Sequence, residues 1–302
     1  MKLGDGLTLT NSGGLHLVLS GLRYMSDITP LKGMQLTELG LEGCPVRDLS
    51  PLRGMPLTSL SLIGCNQVQD LAPLAGMPLK SLRFIGNSIV KDLSPLKGMP
   101  LTSLVCNQLA SVTDLAPLAG MPLTYLEFWE NGGVKDFSFL KGMKLDYLNL
   151  TITSFNDLEL LKGMPLTNLY LAECPIGDLA PLSGMKLKDL NLNQTLVHDL
   201  TPLKGMPLAR LMLNGWHVRV TDLTPLQGMP LRELHLELSA VTDLSPLQGL
   251  KLDALSFTPN RIVKGLEIIR SMTTLKLVGL GRGHPSWPPA EFWKKYDAGE
   301  FK

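Results

Sequence analysis

Eleven aspartates recur at one position of a repeated block, and such a column of carboxylates could serve as a calcium-binding ladder. The calcium-binding repeats that use a ladder of this kind carry a glycine-rich motif at a nine-residue period, which this sequence lacks. Each aspartate instead precedes a turn, where a carboxylate accepts backbone N–H groups and is favoured in its ionised form. We therefore predict a structural role for the column. Its members are Asp27, Asp48, Asp70, Asp92, Asp114, Asp136, Asp157, Asp178, Asp199, Asp222 and Asp243.

The other residue types that support catalysis or metal binding are scattered along the chain. The five histidines follow no metal-binding spacing and form no motif with the cysteines. A glycine-rich stretch at residues 279–283 matches no phosphate-binding loop, so we predict a turn there. We predict no catalytic residue, no metal site and no cofactor, and hence that the protein is not an enzyme.

The four cysteines, Cys44, Cys65, Cys106 and Cys174, form no CxxC pair and are too few for a disulfide framework in 302 residues. Cys44 and Cys65 occupy equivalent positions in adjacent blocks, at a separation that a disulfide accepts, but parallel side chains argue against the bond. Cys106 replaces an inward leucine and is predicted to be a small buried group. Unpaired cysteines, and an opening segment without the apolar core of a secretory signal, favour a cytoplasmic location.

The charge and hydropathy of the chain exclude several classes of partner. Its formal net charge is +1, from 28 Lys and Arg against 27 Asp and Glu, so no surplus drives binding to nucleic acid or to anionic membranes. Polar residues, glycine or proline interrupt every apolar run before the roughly 18 residues that a membrane-spanning helix needs. We therefore predict recognition by shape and local chemistry, without nucleic acid and without membrane insertion.

One block recurs along most of the chain. Residues 48–57, DLSPLRGMPL, match residues 70–79, DLAPLAGMPL, and successive aspartates of the column are 21 to 23 residues apart. A Leu-x-x-Leu-x-Leu segment follows each block, as at residues 36–41, and then a small polar residue or cysteine. This pattern resembles the leucine-rich-repeat signature, and its Asp-Leu-Ser-Pro-Leu segment is similar to the short 21–22-residue repeats of bacterial internalins. The resemblance covers residues 27–262.

The sequence departs from that family at the position after the strand, where the family carries asparagine. Asparagine is found here only at Asn87, Asn131 and Asn260, while Cys, Thr or Ser takes the position in several other repeats. These substitutes can still bond to loop backbone. We expect a weaker ladder of hydrogen bonds where they occur.

The resemblance implies an α/β repeat fold, a leucine-rich-repeat solenoid shaped as a curved right-handed horseshoe with a parallel sheet on its concave side. The last two leucines of Leu-x-x-Leu-x-Leu are two residues apart, so they share one face of a strand. One repeat cannot bury its leucines alone, whereas stacked repeats form a continuous core.

Each block also predicts a short 3₁₀ or α turn on the convex side. Ser50 is placed to cap that turn, the proline after it suits the first helical position, and Gly54 suits a left-handed exit. Leu49, Leu52 and Met55 recur at helical spacing and are predicted to fill the convex side of the core.

We predict three regions: an N-terminal cap or imperfect first repeat over residues 1–26, tandem repeats over 27–263, and a C-terminal cap with helices over 264–302. The first region alternates apolar and polar residues around residues 11–14, which indicates a hairpin or a first repeat. Residues 265–272 are more helical than any internal turn and are predicted to begin the second cap.

The tail of the chain carries aromatic residues at helical spacing. Ala290, Phe292, Trp293 and Tyr296 are predicted to share one face of a helix that begins after two prolines. This face would either close the end of the solenoid or dock on a partner or membrane. We favour closure, because a solenoid exposes apolar surface at its ends unless it is capped.

Outward-facing strand residues change from repeat to repeat while the leucines do not, so specificity is predicted to reside on the concave face. Tyr125, Trp129, Tyr147 and Tyr170 are expected near its middle, as in a binding hot spot, or else merely to cover strand backbone. Val105, Asp189 and Glu237 are also predicted to face outward. The predicted binding residues are Arg83, Tyr125, Glu127, Trp129, Tyr147, Asn149, Tyr170 and Arg210.

The sequence therefore predicts a non-enzymatic scaffold that binds another protein or peptide on its concave face. One alternative is a regulator or inhibitor of a specific enzyme, and another is a purely structural or engineered array. Uneven repeat spacing and varied concave residues argue against a consensus design. The sequence leaves open the identity of the partner, a glycan ligand in its place and the oligomeric state.

Overall fold

The computed structural model is a succession of short strands and single 3₁₀ turns, the architecture of a leucine-rich-repeat solenoid. This confirms the predicted fold class. The structure describes residues 7–9, 14–19, 21–87, 89–281 and 285–301. The chain divides into two compact units, residues 1–154 and 155–302. The boundaries predicted for the terminal caps stay predictions.

The described residues of the first unit form eight strands. β1 and β2 pair antiparallel, as expected for a hairpin, although the predicted turn at residues 11–13 lies outside the described residues. From β2 to β8 each strand pairs in parallel with the next one along the chain. The strands are β1 Leu7–Leu9, β2 Leu15–Val18, β3 Leu36–Gly40, β4 Ser59–Ser61, β5 Ser81–Arg83, β6 Ser103–Val105, β7 Tyr125–Glu127 and β8 Tyr147–Asn149.

The described residues of the second unit form seven strands and two α-helices. β9 to β14 pair in parallel in chain order, and β15 pairs antiparallel with β14. The strands are β9 Asn168–Tyr170, β10 Asp189–Asn191, β11 Arg210–Met212, β12 Glu233–His235, β13 Ala254–Ser256, β14 Leu277–Gly279 and β15 Ser286–Trp287. The helices are α1 Leu266–Ser271 and α2 Pro289–Asp297. Within the described part of the chain, no helix is long and apolar enough to cross a membrane.

The strands stack in register, so equivalent leucines form rows. Leu60, Leu82 and Leu104 are paired in sequence across β4, β5 and β6, and all three are fully buried. The core lies between this sheet and the 3₁₀ turns, where Leu49, Leu52 and Met55 and most of their equivalents are buried as predicted, although Met34 is half-buried. Each repeat thus covers the apolar face of its neighbour.

The 3₁₀ turns are short, one for each repeat. In the first unit they are Thr29–Leu31, Ser50–Leu52, Ala72–Leu74, Ser94–Leu96, Ala116–Leu118 and Ser138–Leu140. In the second unit they are Leu158–Leu161, Ala180–Leu182, Thr201–Leu203, Thr224–Leu226, Ser245–Leu247 and Pro259–Arg261.

The column of aspartates holds these turns, which confirms its predicted structural role. Each of the eleven carboxylates accepts the backbone N–H of the residue two positions later, at 2.7–3.0 Å. The prediction that Ser50 caps its turn was wrong, because the Ser50 hydroxyl donates to Asp48 Oδ2 at 2.7 Å instead. Gly54 leaves the turn at φ +72°, as predicted for a left-handed exit.

Serine and threonine residues at the turns donate hydrogen bonds that lower the pKa values of six aspartates of this column. The Ser94 hydroxyl, 2.7 Å from Asp92 Oδ2, and then the Ser94 backbone N–H hold the pKa of Asp92 below its ordinary value near 3.8. The pKa values of Asp27, Asp48, Asp136, Asp199 and Asp243 are lowered by the same two kinds of bond.

Acid should therefore weaken the fold through these carboxylates. A carboxyl whose pKa is lowered in the folded state stabilises it above the ordinary pKa, and this contribution disappears as the pH falls through the lowered value. We expect the urea midpoint of unfolding to fall with pH below about 4. Ser94→Ala should flatten that dependence, whereas the exposed control Ser183→Ala should not. Identical pH profiles for the wild type and Ser94→Ala would contradict this role.

The aromatic residues of the tail pack within the second unit, as the capping interpretation predicts. Phe292 is fully buried, with its ring 5.8 Å from that of Phe257, and Trp293 is 8 % exposed. Ala290 was predicted to share this face but is exposed. The adjacent residues Phe292 and Trp293 are the ones that α2 buries against the rest of the unit. Ala290 therefore lies on the solvent side of the first turn of α2.

The leucine rows predict large and local effects of truncation. Leu190→Ala in β10 removes a fully buried side chain and should lower the free energy of unfolding by about 2–5 kcal/mol. Leu196→Ala truncates a leucine that is 48 % exposed and should change it by less than about 0.5 kcal/mol. Urea denaturation followed by circular dichroism measures both, and equal losses would contradict this account of the core.

Candidate binding surface

The outer face of the sheet is the side opposite the 3₁₀ turns, and it consists of the first and third residues of each three-residue parallel strand. In β4, β7, β8, β9 and β12 these residues are half-buried while the central leucine is buried. This is the surface predicted to be concave. Because the leucines and the turns are nearly uniform, the outer face carries most of the chemical variety of the chain.

Tyr125 and Tyr147 form a stacked pair on the outer face of the first unit. They are direct partners across β7 and β8, and their ring centroids are 4.2 Å apart at an interplanar angle of 13°. Parallel strands set this distance, since equivalent residues of neighbouring strands lie about 4.8 Å apart. The two rings make a flat, half-buried aromatic platform.

Glu127 anchors this platform. The Tyr125 hydroxyl donates to Glu127 Oε1, and the buried amide of Asn107 donates to Glu127 Oε2 at 3.2 Å. Burial, and then the bond to Glu127, raise the pKa of the Tyr125 phenol above its ordinary value. Tyr125 is therefore a neutral donor over the working pH range, fixed in one orientation.

Trp129 follows β7 and Asn149 ends β8, the two strands that carry the platform. The Trp129 backbone N–H donates to Asn107 Oδ1 at 3.0 Å, which fixes the chain just beyond β7. Asn149 Oδ1 accepts the Thr151 N–H at 3.0 Å and so holds the end of β8. Arg83, in β5, is exposed and has Val105 as its partner in β6.

Tyr170 and Arg210 begin a row of charged residues on the outer face of the second unit. The Tyr170 hydroxyl donates to Asp189 Oδ2 at 2.7 Å, and Arg210 Nη2 lies 3.0 Å from the same oxygen. Arg210 Nε also lies 3.6 Å from Glu233 Oε2, so one guanidinium joins two carboxylates of neighbouring strands. This row is polar and ordered by its own ion pairs.

Three residues predicted to face outward are buried under their neighbours: Val105 and Asp189 on the outer face, and Glu237 just beyond β12 at 5 % exposure. Val105 is 4 % exposed, because its strand partners Arg83 and Glu127 are longer and cover it from both sides. Asp189 is 6 % exposed under Tyr170 and Arg210. Exposure on this face therefore depends on the length of the neighbouring side chains as well as on the strand register.

Asn107 is a residue of the candidate surface that the sequence reasoning missed. It is fully buried and holds both the carboxylate of Glu127 and the backbone of Trp129. Its one signal in the sequence is its place 22 residues before Trp129, where the preceding repeats carry Ile63 and Ile85. Because other repeats carry polar residues such as Glu42 and Asn193 at this position, that signal was too weak to identify the contact.

The position after the strand forms a partial ladder between repeats. Asn87 and Asn131 donate to carbonyls of the preceding repeat at 3.1 Å, and the Cys44 and Cys65 thiols do the same at 3.1 and 2.9 Å. Asn260 was predicted to occupy the same position as Asn87 and Asn131, but it does not. It is exposed, because Pro259 takes the buried position in a loop that forms its own turn.

Thr195 and Ser239 occupy the same ladder position in the second unit. Their hydroxyls donate to carbonyls of their own loops, each at 2.6 Å. A short hydroxyl side chain thus stabilises the loop that contains it. The prediction that Thr and Ser still bond loop backbone is confirmed.

All four cysteines are free and buried, which confirms that Cys44 and Cys65 are not joined. Burial raises the pKa of the Cys65 thiol to about 12 and raises those of Cys44 and Cys106. Among the described residues, no group of three or more histidine, cysteine, aspartate or glutamate side chains is placed to hold a metal ion.

These thiols should be inert in the folded protein. With its pKa near 12, Cys65 has about a thousandfold less thiolate at pH 8 than a free cysteine. We expect slow reaction with a disulfide reagent in native buffer and reaction of all four thiols in denaturant. Tyr24→Cys, at a fully exposed position, supplies a fast-reacting reference thiol. Rapid native modification of Cys65 would contradict its burial.

Comparison with known proteins identifies the fold. Neither a protein-family model nor a curated protein matches the chain. Among solved structures, internalin InlF from Listeria monocytogenes is similar at 24 % identity and a TM-score of 0.72, over 87 % of this chain and 79 % of that one. Internalin InlC2 from the same organism has 24 % identity and a TM-score of 0.29, over 81 % and 80 %. InlJ, also from L. monocytogenes, has 17 % identity and a TM-score of 0.39, over 86 % and 72 %. The likeness to InlF shows a shared leucine-rich-repeat fold.

Proposed function

We propose that this protein is a non-enzymatic scaffold that binds another protein or peptide on the outer face of its sheet. The observation that carries the proposal is the stacked pair Tyr125 and Tyr147, held half-buried beside Glu127. The leucine-rich-repeat fold is typically used for protein–protein interaction, and it leaves this face to side chains that differ between repeats.

The platform has the properties of a binding hot spot. Aromatic side chains offer a large contact area at little cost in conformational entropy, and tyrosine adds a polar handle. Here the stacking and the bond to Glu127 fix both rings before any partner arrives. Pre-organisation of this kind reduces the ordering cost of association.

Polar groups around the platform supply specificity for the partner. Trp129 follows β7 and Asn149 ends β8, the two strands that carry the rings, and Arg83 offers an exposed positive charge in the same unit. In the second unit Tyr170 and Arg210 belong to a row of ion pairs. A partner segment with apolar side chains for the rings and hydrogen-bonding groups for the rim suits this surface.

A reducing, cytoplasmic environment is part of the proposal. It is supported by four cysteines that are all free and buried. The non-enzymatic assignment is supported by the outer face itself. There Glu127 and Asp189 are held by hydrogen bonds and an ion pair that orient the surface, as expected of structural groups.

The test is loss of binding when the platform is removed. A partner captured from source-cell lysate by the intact chain is purified, and its affinity is then measured by calorimetry for the Tyr125→Ala/Tyr147→Ala variant. Removal of a hot spot costs at least about 2 kcal/mol, so we expect binding to weaken by about 30-fold or more.

Tyr24→Ala is the matched control, because Tyr24 is fully exposed in the same unit and should not affect affinity. Circular dichroism verifies that each variant is folded. Equal affinity for the wild type and the platform variant would exclude this surface as the binding site. Failure to capture any specific partner would favour the structural alternative.

A further inference from the structure

A small cavity of about 230 Å³ opens at the carboxyl ends of β10, β11 and β12 in the second unit. We call it the strand-end pocket. Its lining includes Gln194, Asn214, Gly215, Glu237, Leu238 and Leu280. These residues lie within three positions after the ends of β10, β11, β12 and β14, so the regular stacking of the repeats determines their relative positions.

Two acceptor atoms of this pocket are buried and receive no hydrogen bond from the described residues. They are Glu237 Oε2 and Gln194 Oε1. The Glu237 side chain is only 6 % exposed, and its other oxygen, Oε1, lies 4.0 Å from His235 Nδ1. Buried polar atoms in folded proteins nearly always have a partner, and a carboxylate oxygen needs one more than a neutral group does.

The backbone around these acceptors is fixed. The Glu237 N–H donates to Asn214 Oδ1 at 3.2 Å, and the Gly215 N–H donates to the Glu237 carbonyl at 2.8 Å. The Gln194 N–H donates to the Asn214 carbonyl at 2.7 Å. The pocket is thus held by bonds between three successive repeats.

Two glycines make room for the acceptor side chains. A Cβ atom at Gly215 would overlap Gln194 Oε1, and one at Gly281 would overlap the Cγ atom of Glu237. Both glycines have positive φ, +124° and +104°, which other residues rarely adopt. The sequence therefore keeps space beside these acceptors.

The chemistry of the pocket selects a basic side chain. Its volume is below the roughly 300–1,000 Å³ of small-molecule sites, so it suits one side chain. Leu238 and Leu280 offer apolar contact to a methylene stem, while Glu237 and Gln194 offer acceptors to its head. Arginine fits best, because its planar guanidinium carries five donors, accepts none and is weakly hydrated.

A hard metal cation fits less well. Calcium requires six to eight oxygen ligands and magnesium a near-ideal octahedron, whereas only two oxygens without a hydrogen bond from the described residues belong to side chains that line this pocket. Within the described part of the chain no cluster of three acidic, histidine or cysteine side chains is placed to hold an ion.

We propose that the strand-end pocket binds the arginine side chain of a partner protein, with Glu237 and Gln194 as acceptors. The proposal rests on the proposed binding function and names one residue that the partner presents. Beside the pocket, Gln194 also lines a groove with Trp216, which is 62 % exposed. The residues that flank the arginine in the partner would contact this groove.

The pocket can be probed without the partner. The probe is Nα-acetyl-arginine amide, and its neutral isostere Nα-acetyl-citrulline amide is the matched control ligand. Deuterated, ¹⁵N-labelled full-length protein is titrated with each, and amide shifts are followed by NMR. We expect saturable shifts that centre on Gly215 and Leu238, with citrulline binding at least about tenfold more weakly.

Variants assign the acceptors. Glu237→Gln should weaken binding of the arginine probe by about tenfold or more, because the substitution removes the charge of the side chain and keeps its shape. Gln194→Met should weaken it less, since it removes a neutral acceptor. Glu267→Gln makes the same change of charge on the exposed face of α1 and should leave binding unchanged. If Glu237→Gln does not fold, Gln194→Met carries the test.

Several outcomes would overturn the proposal: the absence of saturable shifts, equal binding of citrulline, or unchanged binding by both pocket variants. Because the probe reports on the pocket alone, these outcomes would not affect the conclusion drawn from the Tyr125→Ala/Tyr147→Ala variant. Conversely, arginine binding that depends on Glu237 would persist even if removal of those tyrosines left partner affinity unchanged. The two proposals therefore fail separately.

Discussion

Everything in this protein depends on one constraint, which is that a single repeat cannot bury its own leucines. Each repeat must offer its apolar face to the next one in register, as the fully buried row of Leu60, Leu82 and Leu104 shows. A turn that returns the chain at the same height in every repeat is needed to keep this register. The aspartate column supplies it, because each carboxylate fixes the first N–H groups of its 3₁₀ turn.

The same constraint divides the residues of each repeat into those that stack the repeats and those that form the outer face. Leucines, turn residues and aspartates are committed to stacking, so they vary little along the chain. The first and third residues of the three-residue parallel strands are not so committed, and they carry the aromatic platform in one unit and the ion pairs of Arg210 in the other. Parallel register also explains why Tyr125 and Tyr147 stack, because equivalent residues of adjacent strands are held at contact distance.

The sequence correctly predicted those features that depend only on residues within one repeat. The 3₁₀ turns, the role of the aspartates and the burial of Cys106 follow from residues within one repeat, and all were confirmed. Exposure of Val105 and Asp189 was mispredicted, because it depends on the length of side chains one repeat away. The sequence also did not show that Glu237 is buried near Gln194 with an oxygen that receives no hydrogen bond from the described residues. The position of these two residues depends on backbone bonds among three repeats and on the space left at Gly215 and Gly281.

The central claim is that the partner covers the outer face of the sheet and leaves the turns uncovered. Hydroxyl-radical footprinting tests it directly, because tyrosine and tryptophan side chains are readily oxidised when they are accessible. The chain is labelled alone and with its captured partner, with the fully exposed Tyr24 as an internal reference. The account predicts reduced oxidation of Tyr125, Trp129 and Tyr147 in the complex and no change at Tyr24. Unchanged oxidation of those three residues, with protection confined to residues of the 3₁₀ turns, would contradict it.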